Sequence, residues 1–217
     1  MAHHALATVL FLLVAAGSAF AADGGPVAEL RNRVDRAVQV LSDPALQGPS
    51  HVGERRTRVR KIADEIFAFE EMGKRSLGPH WQQMQPAERD RFVRLFSDLL
   101  DRAYFDKIDS YSGEKVTYLQ AKIEGDQATV PTRVVTQRGT EIPVDYRMVR
   151  DKGRWQVYDV IIEGVSLVGN YRTQFNRIVR TESVDELLRR MEAQVTGQAS
   201  IAPAPGTEKK PRGASRE

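Results

Sequence analysis

The 217-residue chain contains no cysteine. Disulfides, thiol nucleophiles and thiolate metal sites are therefore excluded, and a hydrophobic core must hold the fold unaided. Histidine is nearly as scarce: His3 and His4 stand at the extreme N-terminus, and His51 and His80 are each isolated in polar, turn-like surroundings. Neither has partners at metal-ligand spacing, so no metal centre is expected. A G-x-x-x-x-G-K run is missing, which excludes a phosphate-cradling P-loop and the nucleotide hydrolysis it supports. A strong charge imbalance is missing too. The formal net charge is +3, and Lys209, Lys210, Arg212 and Arg216 against Glu208 and Glu217 supply +2 of it at the C-terminal end. The body of the chain is close to neutral, so no nucleic-acid partner is expected.

The two ends differ from the middle. Ala5 to Ala16 is an unbroken run of apolar and small residues, short of the roughly 20 apolar residues that span a bilayer. Ala19-x-Ala21 follows and fits a signal-peptidase site, so residues 1–21 are expected to be a cleaved signal peptide and the mature chain periplasmic. No Lys or Arg precedes the run, only His3, His4 and the terminal amine, which leaves an uncleaved anchor as the alternative. With no cysteine after the run, a lipoprotein form is excluded. Residues 197–217 are Pro, Gly, Ala and charge, the composition of a disordered basic tail. Such a tail either stays solvated or touches anionic headgroups, at about 1 kcal/mol per basic residue near the surface. Residues 22–196 are left as a single domain.

Within that domain the apolar period changes once in each direction. Val27, Leu30, Val34, Val38 and Leu41 follow helical spacing up to Asp43-Pro44. A second helical run carries Val59, Ile62, Ile66 and Phe69, with Arg55, Arg56, Arg58, Arg60 and Lys61 at the other positions; Gly73 and Leu77-Gly78-Pro79 break it. Gln85-Pro86-Ala87-Glu88 reads as a helix start, and Phe92, Leu95, Phe96, Leu99 and Ala103 form its stripe. Alternation follows in Val116 and Tyr118, in Val130, Thr132 and Val134, and in Ile142, Val144, Tyr146 and Met148. Gly125-Asp126, Arg138-Gly139 and Lys152-Gly153 supply turns, so an antiparallel meander is expected, with Pro131 at an edge or bulge. After Glu163 the helical period returns through Phe175, Ile178, Val184, Leu187, Leu188 and Met191. The fold class is α+β: helices packed on an antiparallel sheet of four or more strands.

Candidate catalytic groups are few. Gly164-Val165-Ser166 lacks the second glycine of a G-x-S-x-G elbow and has no histidine partner, so Ser166 reads as the cap of the helix it precedes. Asp159 and Glu163 are a carboxylate pair at a strand end. A structural role, bonding backbone amides or an arginine such as Arg172, suits them better than acid–base chemistry. No catalytic residue and no cofactor are expected.

The stretch from Trp155 to Phe175, W-x-V-Y-D-V-x-x-E-G-V-S-L-V-x-N-Y-R-x-Q-F, resembles the MlaC family of periplasmic lipid carriers, also called toluene-tolerance proteins. Further matches run in order: Phe67-Ala68-Phe69 with Met72, Leu77-Gly78 and Trp81, then Pro86, Phe92, Phe96, Leu99-Leu100 and Tyr104, then Ile142-Pro143-Val144 with Tyr146. The resemblance implies that the helix and sheet faces leave an apolar pocket for phospholipid acyl chains, with headgroups near the surface. It implies as partners an inner-membrane ABC transporter complex and an outer-membrane lipoprotein complex. On that footing the candidate lipid-binding residues are Phe69, Met72, Trp81, Phe96, Tyr104, Tyr118, Tyr146, Met148, Val165, Val168 and Tyr171, chosen as long, flexible or aromatic side chains on facing elements. Each also fits an ordinary core. Arg147 and Arg172 are the headgroup candidates, with ion pairs to Asp159 or Glu163 as the competing role. Glu70-Glu71-Met72, Lys74 to Gly78 and Ile108 to Tyr111 resemble the hopanoid-associated branch, so a hopanoid ligand stays open beside phospholipid. A non-lipid interaction module with a closed core is the reading from a different class.

Overall fold

Helices precede and follow a run of strands, as the two changes of apolar period require. The computed structural model describes residues 24–198. The expected signal peptide, and residues 199–217 of the expected tail, lie outside the described residues. Helix α1 (Pro26–Ser42) is joined to α2 (Val52–Ile66) through two single 3-10 turns, Pro44–Leu46 and Pro49–His51. Helices α3 (Phe69–Leu77), α4 (His80–Gln83) and α5 (Pro86–Asp109) follow, then strands β1 (Lys115–Tyr118), β2 (Lys122–Glu124), β3 (Gln127–Val135), β4 (Glu141–Asp151), β5 (Arg154–Ile162) and β6 (Val165–Ser166). Helices α6 (Leu167–Thr181) and α7 (Val184–Val195) close the domain. Among the described residues no helix is long and apolar enough to cross a membrane.

The strands form one antiparallel sheet in the order β1-β3-β4-β5-β6, with β2 also beside β3. Pro131 lies inside β3, opposite Asp145 of β4, at the break between the stretches of β3 that pair with β1 and with β2. A residue without an N–H fits there because no strand on that side needs one. Lys152-Gly153 and Glu163-Gly164 both turn with positive φ, 48° and 80° in the first and 50° and 83° in the second. Two left-handed residues in succession make the tight turn whose twist matches a hairpin.

Strand β5 carries a bulge that matters for the interior. Arg147 of β4 pairs with Asp159 but Met148 pairs with Val157, leaving Tyr158 as the extra residue. The side-chain alternation therefore shifts by one at Tyr158. Trp155 and Val157 before the bulge, and Val160 and Ile162 after it, all pack in the same cluster with α1 and α2, while Tyr158 packs with the other helices.

The structure divides the apolar residues into two cores. In one, α3, α4, α5, α6 and α7 bury Phe92, Phe96, Tyr171 and Phe175 against one another. Ring centroids there lie 5.1 Å apart for Phe96–Tyr171 and 5.5 Å for Phe92–Phe175, both edge-on. In the other, Leu30, Ile62 and Ile66 cover the sheet face made by Val130, Val144, Met148, Trp155, Val157 and Val160.

Two helix boundaries differ from the sequence expectation. The run from Val59 to Phe69 is not one helix. Phe67 bridges to Val157 in parallel register, and the Ala68 N–H donates to the Val157 carbonyl at 2.9 Å. Edge groups of β5 are satisfied by this kink, which a continuous helix would leave unpaired. Gly73 is not a break but lies within α3, where an added Cβ would come 3.1 Å from the Phe92 ring. Its role is to let α5 approach. The actual stop is Gly78, at φ 56° and ψ −127°, a conformation open to glycine alone.

Candidate functional site

The two cores do not meet everywhere. Between them lies a cavity of about 320 Å³. Val59 and Ala63 of α2, Leu100, Tyr104, Phe105 and Ile108 of α5, and Leu167 at the start of α6 form its helical walls. Phe67, Phe69 and Met72 enter from the α2–α3 kink, and Val144, Tyr146, Val160 and Ile162 supply the sheet floor. The kink and the bulge together create the site. One swings Phe67 and Phe69 off the α2 axis, and the other turns Val160 and Ile162 to the same face as Val144 and Tyr146.

Among the described residues, charged side chains enter the wall where α2 faces α5, as Arg60 and Asp101 with Ser97 beside them. Arg60 donates to Ser97 Oγ at 2.7 Å and to Asp98 Oδ1 at 3.0 Å, and Arg56 donates to Asp101 Oδ2 at 2.8 Å. The Arg56 and Asp98 side chains are 42% and 44% exposed, so this polar lip reaches solvent while Arg60 reaches the cavity. One turn further, Arg55 is buried and forms a two-armed pair with Asp109, at 2.6 and 2.8 Å, while also donating to the Leu46 and Gly48 carbonyls. Hydrogen bonding from Arg55 holds the Asp109 carboxyl below the usual range, against the opposing effect of burial. Inside the cavity, burial pushes the Tyr104 and Tyr146 hydroxyls up to about 12 each. Both remain neutral phenols, set among apolar residues away from the charged lip.

Of the residues expected from sequence to meet a lipid, Phe69, Met72, Tyr104 and Tyr146 line this cavity. Phe96, Val168 and Tyr171 are buried in the helical core, and Met148 is buried in the core beneath α1. Tyr118 lies in β1 under the Arg31 guanidinium, 4.8 Å from its ring centre. Trp81 lines a separate, more polar surface groove with Pro86, Arg89 and Val93. Val165 is exposed on the edge strand β6. Neither headgroup candidate lines the cavity. Arg147 is 3.3 Å from Asp159, and Arg172 is exposed on α6 with its guanidinium against Gly78.

The corner between β5 and α6 is structural. Asp159, only 3% exposed, accepts the Val168 N–H at 3.0 Å and the Ser166 hydroxyl at 2.7 Å. Ser166 in turn accepts the Gly169 N–H at 2.9 Å, so its hydroxyl is engaged on both sides in capping α6. Among the described residues, the titratable groups lining the cavity are Arg60, Asp101, Tyr104 and Tyr146, a set that contains no nucleophile–base pair.

A largely apolar cavity with one charged lip thus lies between a helical layer and a sheet. The chain belongs to the MlaC family, whose sequence profile, described as "MlaC protein", matches residues 31–193. Among its relatives, the intermembrane phospholipid transport system binding protein MlaC of Haemophilus influenzae is 24% identical over 160 residues, 71% of this chain and 73% of that protein. Toluene tolerance protein ttg2D of Pseudomonas putida is 30% identical over 91 residues, 42% of each chain. The fold is that of a phospholipid-binding protein from Ralstonia solanacearum solved in complex with a phospholipid. The two superimpose with a TM-score of 0.69 at 23% identity, over 81% of this chain and 99% of that one.

Proposed function

We propose that this protein is a non-catalytic periplasmic lipid carrier that holds phospholipid acyl chains in the cavity between α2, α5 and the sheet. In this reading it shuttles lipid between an inner-membrane ABC transporter complex and an outer-membrane lipoprotein complex. The observation that carries the reading is the cavity itself, placed between two otherwise close-packed cores. A closed interaction module would bury these faces against each other. Family membership supports the same reading, as do a relative named for phospholipid transport and a structural neighbour solved with phospholipid.

The magnitudes suit a carrier. At about 30 Å³ for each water- or methylene-sized group, a 320 Å³ cavity holds on the order of ten such groups. Their burial is worth about 8 kcal/mol at 0.8 kcal/mol per methylene. A lipid with two chains of about 15 methylenes gains about 24 kcal/mol on leaving water. The cavity in this form therefore accommodates part of one chain. Partial burial also suits release, because a carrier that matched the whole transfer energy would keep its cargo. Native mass spectrometry with organic extraction, on mature protein isolated from its own periplasm, tests the proposal. A co-purifying diacyl phospholipid is expected. Protein that emerges clean and takes up no lipid from vesicles would refute it, and a hopanoid in the extract would replace the ligand.

A further inference from the structure

The rows of side chains that make the cavity floor continue across the sheet to a buried polar atom. Val144 and Ile162, which line the cavity, stand in one row with Thr132 of β3 and Tyr118 of β1. Tyr146 stands in the next row, between Val130 and Val160. Tyr118 and Tyr146 therefore share one face of the sheet, and both pack against the core beneath α1. Two strand spacings of about 4.8 Å separate β1 from β4, a gap that two tyrosine side chains span. The Tyr118 hydroxyl is buried and has no hydrogen-bond partner among the described residues. Arg31 lies over the face of the Tyr118 ring, and the Thr132 hydroxyl donates to the Val144 carbonyl at 2.7 Å. Burial raises the Tyr118 hydroxyl above the usual phenol range and Tyr146 adds to the rise, so the two phenols are within electrostatic reach of each other. A buried hydroxyl without a partner bears its full desolvation cost, and such groups are rare enough in folded proteins to call for an explanation.

We propose that Tyr118 and Tyr146 form a subsite for a hydroxyl group carried partway along the acyl chain of the cargo. The inference rests on the carrier reading above and names a cargo class within it. Tyr146 belongs to the sheet floor, whereas the charged lip is made by α2 and α5. An oxygen that meets Tyr146 must therefore travel with the chain and not with the headgroup. A chain hydroxyl offers one donor and two acceptor sites, so it accepts from one phenol and donates to the other. That pairing satisfies the Tyr118 hydroxyl and removes the penalty that a lone hydroxyl meets in an apolar cavity. At about 30 Å³ for each methylene-sized group, a cavity of 320 Å³ places the matching hydroxyl at about carbon 10 to 12 of the chain. Two neutral hydrogen bonds in place of none shift relative affinity on the order of tenfold.

The test offers the protein vesicles holding equal amounts of two phosphatidylcholines, one with stearoyl chains and one with 12-hydroxystearoyl chains. Native mass spectrometry then reads the ratio of hydroxylated to plain lipid in the complex. The parent is expected to load the hydroxylated lipid at least as well as the plain one, and the ratio is expected to fall about tenfold in the double variant Tyr118→Phe, Tyr146→Phe. Because both lipids compete within one sample, a change in the folded fraction cancels from the ratio. The empty protein gives a second readout. Tyr118→Phe deletes an unpaired hydroxyl, so its urea midpoint is expected at or above that of the parent, whereas a hydroxyl bonded for structure would lower the midpoint when removed. A ratio well below one in the parent, a ratio unchanged by the double variant, or a lowered midpoint for Tyr118→Phe each overturns the inference while leaving the carrier reading intact. Loading of neither lipid refutes the carrier reading itself.

Discussion

Replacing Ala63 with Phe separates a cavity from a packed interior. Ala63 lies on α2 and lines the cavity wall. The added ring occupies roughly three methylene-sized volumes of about 30 Å³ each. Filling that space withdraws about 2.4 kcal/mol of burial from an entering acyl chain at 0.8 kcal/mol per methylene. At 1.4 kcal/mol for each factor of ten, affinity for a fluorescent-chain phospholipid is expected to fall about fiftyfold. Stability moves differently. An extra ring forced into a close-packed core costs about 1–3 kcal/mol, whereas a ring entering empty space gains contacts and loses only the small helix preference of Ala over Phe, about 0.5 kcal/mol. The urea midpoint of Ala63→Phe is therefore expected to stay at or above that of the parent while lipid affinity drops. A loss of stability above 1 kcal/mol, or unchanged lipid affinity in a folded variant, would refute the reasoning.

Other perturbations test the elements that frame the site. Gly78→Ala forces a side chain into φ 56°, ψ −127° and places its Cβ 3.3 Å from Arg172, so a loss of about 1–3 kcal/mol is expected by urea denaturation; an unchanged midpoint would contradict the strain argument. Ser166→Ala is expected to lose about 1 kcal/mol of capping, and Asp159→Ala about 1–3 kcal/mol because it strands the buried Val168 amide and frees the Ser166 hydroxyl. Because Ser166 bonds directly to Asp159, the double variant should lose less than the sum of the two; strict additivity would deny the coupling. Burial raises the Tyr104, Tyr118, Tyr146 and Tyr171 hydroxyls in the folded state. Between the unfolded phenol value near 10 and the raised folded values, the native chain holds more protons, so stability is full below about pH 10 and declines above it. A spectrophotometric titration should show these phenolates appearing late, with unfolding; ionisation of all six tyrosines near pH 10 in a folded protein would contradict this.

The fold was largely legible because its signals are local. Apolar period marked the helices and strands, the Lys152-Gly153 turn marked a hairpin, and Ser166 marked the start of α6. The pairing of Asp159 with backbone at that corner also followed from its position. The site was legible only in part. Long and aromatic side chains were selected as wall candidates, but Phe96 and Tyr171 have the same character as Tyr104 and Tyr146 and lie in a closed core. What separates them is the seam between two layers, which depends on the Phe67–Val157 bridge and the Tyr158 bulge. Neither leaves a periodic trace: the bulge merely keeps Val160 and Ile162 in phase with Val144, and the kink hides inside a continuous helical pattern. Leu100, Leu167 and Phe67 were visible as apolar residues with nothing to mark them as wall. The lip had a faint signal. Arg56 and Arg60 stand one turn apart on α2, as Asp98 and Asp101 nearly do on α5, a spacing that places each pair on one helix face.

The central claim is that the space between α2, α5 and the sheet receives an acyl chain. A phospholipid carrying a photoactivatable diazirine in its chain, loaded into the protein from vesicles, irradiated and mapped by peptide mass spectrometry, tests this directly. Adducts are predicted on Leu100, Tyr104, Tyr146, Ile162 and Leu167, all of which line the cavity. Adducts confined to the surface groove around Trp81 and Arg89, or adducts on Phe92 and Phe175 in the closed core, would contradict it.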